Sequence, residues 1–188
     1  MQASCEEAHK TFPDARLYGT LRHKNKWPNL PWESGLIEDP ETQAQFSDTL
    51  QFSVPQGVDL IPSNEAVHFS SVLAYHPDTK TIHVDDTLMF IPTPAAAAII
   101  GFKEGTVQLH PTLGLALQSR KGASEDLREW VRKIAAEWPA ANLCTAHLGN
   151  LLADKNTGDS IESRIRAALT VAEPALMAHQ LYWGKKDL

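Results

Sequence analysis

Apolar and polar positions alternate with a period of two through residues 49–90, and a helical period replaces that alternation in the second half of the chain. "DTLQFSVP" sets Leu50, Phe52 and Val54 on one side of a strand. "GVDLIP" reads as a second short strand. "VHFSSVLAYH" and "TIHVDDTLMF" read as a third and a fourth, joined by "PDTK", whose proline and aspartate suit a tight turn. The simplest arrangement of these four strands is an antiparallel meander. "TVQLH" adds a further short strand.

Helical patterns flank this region. "SCEEAHKTFPDA" reads as a short helix with Ser4 as its cap, Glu6 and Glu7 near its positive end, and Pro13 as its stop. "ARLYGTL" follows as a strand, and the proline-rich "WPNLPWESGLIEDPE" as a long surface excursion. In "SEDLREWVRKIAAEW", Leu127, Val131, Ile134 and Trp138 share one helical face, with Ser124 as N-cap and Pro139 beyond the end. "NLCTA" is a short apolar strand that delivers His147 and Gly149 to a loop. "DSIESRIRAALTVAEPALMAHQLYW" reads as a long helix capped by Asp159, with Glu162 three residues on and Ile161, Ile165 and Leu169 on one face. Pro174 is expected to kink or break it. The plan is helix–strand–loop, a β meander, then helix–strand–helix. That predicts an α/β or α+β layered domain, a mixed or antiparallel sheet flanked by helices. No repeat or dividing linker interrupts residues 1–188, which read as one domain.

Composition narrows the partners. With 43% apolar and 21% charged residues the chain reads as soluble and globular. A net charge of −6 argues against a nucleic-acid partner, which calls for a basic face. The basic cluster "RHKNK" (Arg22 to Lys26) reads as a solvated loop. Two distant cysteines, Cys5 and Cys144, make neither a disulfide framework nor a zinc knuckle and suit a reducing, cytoplasmic setting. The N-terminus has no apolar signal region, and no apolar run approaches the roughly 18 residues that span a bilayer, so no membrane partner is expected. G-x-S-x-G, G-x-x-x-x-G-K-[ST] and strand-linked G-x-G-x-x-G motifs are absent, which removes local support for serine-hydrolase, P-loop and dinucleotide readings.

Metal chemistry has better support. Imidazole nitrogen and carboxylate oxygen are the donors a zinc or iron site uses. Counted from the turn at Pro77, His68 lies as far back as Asp86 lies forward, so antiparallel pairing predicts that both reach one end of the hairpin. His147 sits in the loop after a third strand, where functional groups of layered α/β folds gather. The same residues also have plain structural uses. A histidine at a strand end serves as a hydrogen-bonded structural group, and Asp85–Asp86 serves as a turn or backbone cap. His9, His76, His110 and His179 fall on helices or turns as surface or packing residues, and His83 alternates away from Ile82 and Val84.

On these residues the chain resembles the metallo-β-lactamase superfamily. "VHFSSVLAYHPDTKTIHVDDTLMF" is similar to the family segment "GHTPGSxxxY…GDTLF", with "SSV" standing where "PGS" is usual, "CTAHLG" is similar to its final strand-and-loop histidine, and "FPDARLYGTLRH" to the strand after its first metal-binding helix. The resemblance implies an αββα sandwich and a metal-dependent hydrolase acting on a small-molecule substrate. His68, Asp86 and His147 take the metal-ligand places, with Asp85 as a supporting or alternative carboxylate and His23 as a substitute ligand. The family's H-x-H-x-D-H loop belongs just before "CEEAHKTFP", yet no H-x-H occurs in the chain. The resemblance therefore implies an N-terminally truncated member holding one zinc or iron ion at most. A degenerate, non-catalytic domain that binds a partner or forms a homo-oligomer through exposed apolar surface is the rival expectation. A third is a small-molecule pocket walled by Trp27 and Trp32 of "WPNLPW".

Overall fold

In the computed structural model, which describes residues 5–64, 67, 69–93, 105–156 and 158–185, the chain is mixed α/β and divides into two compact units, 1–48 and 49–188. The first unit begins with helix α1 (Cys5–Thr11), whose first turn carries Glu6 and Glu7 and which ends before Pro13. Strand β1 (Leu17–Gly19) pairs in parallel with β2 (Trp32–Leu36), and helix α2 (Leu21–Lys26) makes the crossover.

That crossover corrects two expectations. "RHKNK" is helical, because Thr20 caps it and His23 closes a capping box back onto the Thr20 amide. The excursion "WPNLPWESGLIEDPE" contains β2 and leads into helix α3 (Pro40–Ala44), which Pro40 opens at its first turn. Lys24 Nζ fastens α2 to β2 by donating to the carbonyls of Glu33, Ser34 and Gly35 at 2.5, 2.9 and 3.1 Å.

The second unit is built on a four-stranded sheet of β3 (Gln51–Ser53), β4 (Leu73–His76), β5 (Thr81–Val84) and β8 (Asn142–Thr145), in the order β3-β4-β5-β8. The first three strands are antiparallel neighbours, with Ala74, Tyr75 and His76 opposite His83, Ile82 and Thr81, so three of the four strands expected in the meander form it. Among the described residues, "GVDLIP" contributes a bridge between Val58 and Leu117 rather than a strand. The fourth place in the sheet goes to β8, parallel to β5.

The run "TIHVDDTLMF" does not stay in one strand. It bends at Asp85–Thr87, and β6 (Leu88–Ile91) leaves to pair with β7 (Thr106–Leu109) in a separate two-stranded sheet. Aspartates are poor strand formers. The buried Thr87 fixes the bend by donating from Oγ1 to Phe69 O at 2.8 Å and accepting from the Ser71 amide at 3.2 Å.

The helices of this unit share the apolar core of the main sheet. Helix α4 (Leu113–Ala116) is a single turn. Helix α5 (Ala123–Glu137) buries Leu127, Val131 and Ile134 in the same cluster as Leu73, Ile82 and Leu143. Trp138 stacks on Tyr75 with ring centroids 5.4 Å apart, and Trp130 Nε1 donates to Ser53 Oγ. Helix α6 (Ile161–Gly184) packs on α5 and β7 through Ile161, Ile165, Leu169 and Leu176.

The caps differ from expectation. Gly122, in the left-handed region, precedes α5, and Ser124 lies buried in its first turn. Ser160 caps α6 in place of Asp159 by accepting from the Ser163 amide. Helix α6 also runs through Pro174 without a break. Pro174 and Thr170, four residues earlier, both lie on its exposed side, where water can replace the lost amide bond. Among the described residues no helix is long and apolar enough to cross a membrane.

Candidate metal centre

Strands β5 and β8 run parallel, with Thr81 against Asn142 and Val84 against Thr145. Asp86 and His147 each lie two residues beyond that last pair. The shared offset brings both to the C-terminal end of the sheet, where their side chains meet with His147 Nε2 3.1 Å from Asp86 Oδ1. Asp85 joins them, and one donor atom from each of the three residues lies within 4.8 Å of the others.

The donor set suits a metal ion. Two ligands at about 2.0–2.1 Å from a tetrahedral zinc lie about 3.3 Å from each other, close to the observed nitrogen–oxygen separation. Two carboxylates and one imidazole match the oxygen and nitrogen preferences of zinc and iron. The Asp86 side chain is 15% exposed, whereas that of His147 is 53% exposed. One anionic donor is thus largely withdrawn from water while the imidazole stays at the rim, and Asp85 is exposed as well. Three protein donors leave a position for water or a substrate oxygen.

Local sequence explains how each donor is presented. The bend at Asp85–Thr87 interrupts the alternation of a straight strand, so two consecutive aspartates both lie in the cluster. His147 sits in a bend held from below by Thr145. Thr145 Oγ1 lies 2.8 Å from His147 O and 2.7 Å from Gly149 O, and the Thr145 amide donates to Asn150 Oδ1 at 2.9 Å. A Cβ on Gly149 would come within 2.7 Å of Pro92 Cγ, so only glycine lets the bend pack this closely on the end of β6.

The sequence-derived candidates fare differently. Asp86 and His147 come together, and Asp85 stands beside them as a potential ligand. His68 lies outside the described residues. The pairing count that sets it opposite Asp86 takes Pro77 as the centre of the hairpin, whereas the observed ladder centres between Asp78 and Thr79. His23 belongs to the 1–48 unit and serves the α2 capping box, with Nδ1 2.8 Å from Thr20 Oγ1. Trp27 and Trp32 pack locally. Trp32 Nε1 donates to Trp27 O, and the His23 ring lies 6.2 and 6.3 Å from the two indoles.

Thr145 and Asn150 were not legible as site residues. Their only signal is their nearness to His147 in "CTAHLGN". Neither cysteine is disulfide-bonded, and burial raises the pKa of the Cys144 thiol above its usual value. Comparison of the chain with protein-family models, with curated proteins and with solved structures gives no match.

Proposed function

We propose that the chain binds one divalent metal ion through Asp86, His147 and Asp85, and that it is a metal-dependent hydrolase resembling the metallo-β-lactamase superfamily. The observation that carries this reading is the convergence of the three donors at the C-terminal ends of adjacent parallel strands. The mixed sheet, with helices sharing its apolar core, is compatible with an α/β fold, which supports the same reading.

A bound zinc or iron ion would polarise an acyl or phosphoryl oxygen and lower the pKa of a coordinated water to about 7. The residues of the chain do the holding. Asp86 and Asp85 supply negative charge that balances the cation. His147, at the exposed rim, supplies the imidazole donor. Elemental analysis after growth with zinc and iron tests the reading. The expected result is up to one equivalent of metal in the wild type and its loss in Asp86→Asn. A wild type that purifies metal-free and takes up neither ion at micromolar concentration sinks it.

A second reading, a non-catalytic oligomerising domain, draws on α6. From Ala167 to Tyr182 its exposed positions carry no charged side chain, and Val171, Met177, Leu181 and Tyr182 are 68, 55, 62 and 58% exposed. A strip of this kind favours association with apolar surface.

A further inference from the structure

We propose that Thr145 is a positioning residue for His147, holding the His147–Leu148–Gly149 bend in the shape that aims the imidazole at Asp86. The proposal rests on the metal-binding reading above and adds a residue that touches neither ion nor substrate.

Thr145 is the last residue of β8, and its register against Val84 fixes its backbone. Its hydroxyl proton is shared between two carbonyls of the bend, those of His147 and Gly149. The Gly149 amide donates to His147 O at 2.9 Å and closes the bend across its mouth. Asn150 closes the far side by accepting from the Thr145 amide. The backbone between these bonds is strained. Leu148 has φ 68°, the left-handed region that a bulky L-residue avoids because its Cβ crowds the following carbonyl. Leu148 is also 65% exposed, so its own burial does little to offset that crowding.

The hydrogen bonds around Thr145 and the packing of Gly149 on Pro92 are what hold the bend in place. A relaxed Leu148 would rotate the following and preceding peptide units, and His147 directly precedes it. The strained bend and the 3.1 Å approach of His147 to Asp86 are therefore two consequences of one local structure. A pre-set imidazole spares the metal the entropic cost of ordering a loop.

Thr145→Val keeps the shape of the side chain and removes the hydroxyl. With Co2+ as probe, followed by its visible absorption, affinity is expected to fall about 10- to 100-fold, the usual effect of removing a group that orients a ligand. Thr145→Ser, which restores the hydroxyl, is expected to recover the wild-type value. Asn150→Ala removes the acceptor at the other side of the bend, is expected to weaken Co2+ binding too, and serves if Thr145→Val does not fold. The metal-free protein gives a second readout, the amide–Hα coupling of Leu148, which is expected to leave its left-handed value in Thr145→Val.

Equal Co2+ affinity in wild type and Thr145→Val, an unchanged Leu148 coupling, or failure of serine to rescue overturns the positioning role. A wild type that binds no Co2+, or an Asp86→Asn variant that binds it as tightly as wild type, overturns the metal reading itself and this role with it.

Discussion

Val84 stands in parallel register with Thr145, and this pairing carries Asp86 and His147, each two residues further on, to 3.1 Å from one another. The two residues are 61 positions apart in the chain. Their meeting depends on β8 entering the sheet beside β5 rather than beside any strand of the earlier meander.

The first prediction concerns that pair. Asp86→Asn preserves size but removes the largely buried charge, and His147→Ala removes the exposed donor. Each is expected to weaken zinc binding by more than about 100-fold, beyond the effect of losing a supporting group. Thermal stability without metal should change little for His147→Ala, because that side chain is mostly exposed. Calorimetric titration with zinc, paired with thermal unfolding of the metal-free proteins, checks both statements.

Helix α6 carries the second. If its uncharged strip mediates self-association, Leu181→Glu together with Val171→Glu converts an oligomer to monomer. Both positions are exposed, so the monomer should unfold within about 0.5 kcal/mol of the wild-type subunit. Sedimentation velocity at micromolar concentration reads the outcome. A wild type that is already monomeric removes the oligomer reading.

Acid sensitivity is the third. His179 Nδ1 lies 2.9 Å from Ser124 Oγ, and its Nε2 lies 3.0 Å from Gln118 O. Burial lowers its pKa below the usual value, and the bond to Gln118 opposes that shift only in part. The unfolded chain therefore takes up this proton first as pH falls. Stability from His179 is complete above the unfolded pKa of about 6.5 and declines as pH drops through it toward the folded value. Urea midpoints should fall between pH 7 and pH 5.5 in the wild type, and less steeply in His179→Gln. Parallel slopes for the two proteins contradict the assignment.

The fourth prediction is a packing test. Gly57 has φ 74°, and a Cβ there would lie 2.0 Å from Ala123 O, at the start of α5. Its carbonyl accepts from the Gln118 amide beside the Val58–Leu117 bridge. Gly57→Ala combines left-handed strain with an overlap against backbone, so a loss of about 3 kcal/mol is expected. Gly114→Ala, in α4 where the added carbon meets nothing, should cost nothing and serves as control. Urea denaturation of the two variants decides it.

Much of the secondary structure was legible because its signals are local. The period of α5, the turn at 77–80 and the strands β3, β4, β5, β7 and β8 follow from side-chain spacing and turn chemistry within a few residues. Elements whose cause is not a hydrophobic period were misread. Helix α2 exists through the Thr20–His23 capping box, and β2 through pairing with β1, so a polar and proline-rich stretch looked like loop. "TIHVDDTLMF" looked like one strand because its flanks are apolar, yet the side-chain bonds of Thr87 to Phe69 and Ser71 divide it between two sheets.

The candidate site divides in the same way. The sequence by itself determined the donors on offer, since only side-chain chemistry makes Asp86, His147 and Asp85 eligible ligands. It also determined that Asp86 follows one strand and His147 another. Tertiary structure alone decided which donors meet. The hairpin count set Asp86 beside His68, which lies outside the described residues, and only the resemblance grouped Asp86 with His147; the sheet joins those two through a parallel pairing that spans a large loop of chain. Parallel pairing has no turn to announce it, and its register is set by how apolar faces bury against α5 and α6, a condition on the whole core rather than on any short stretch.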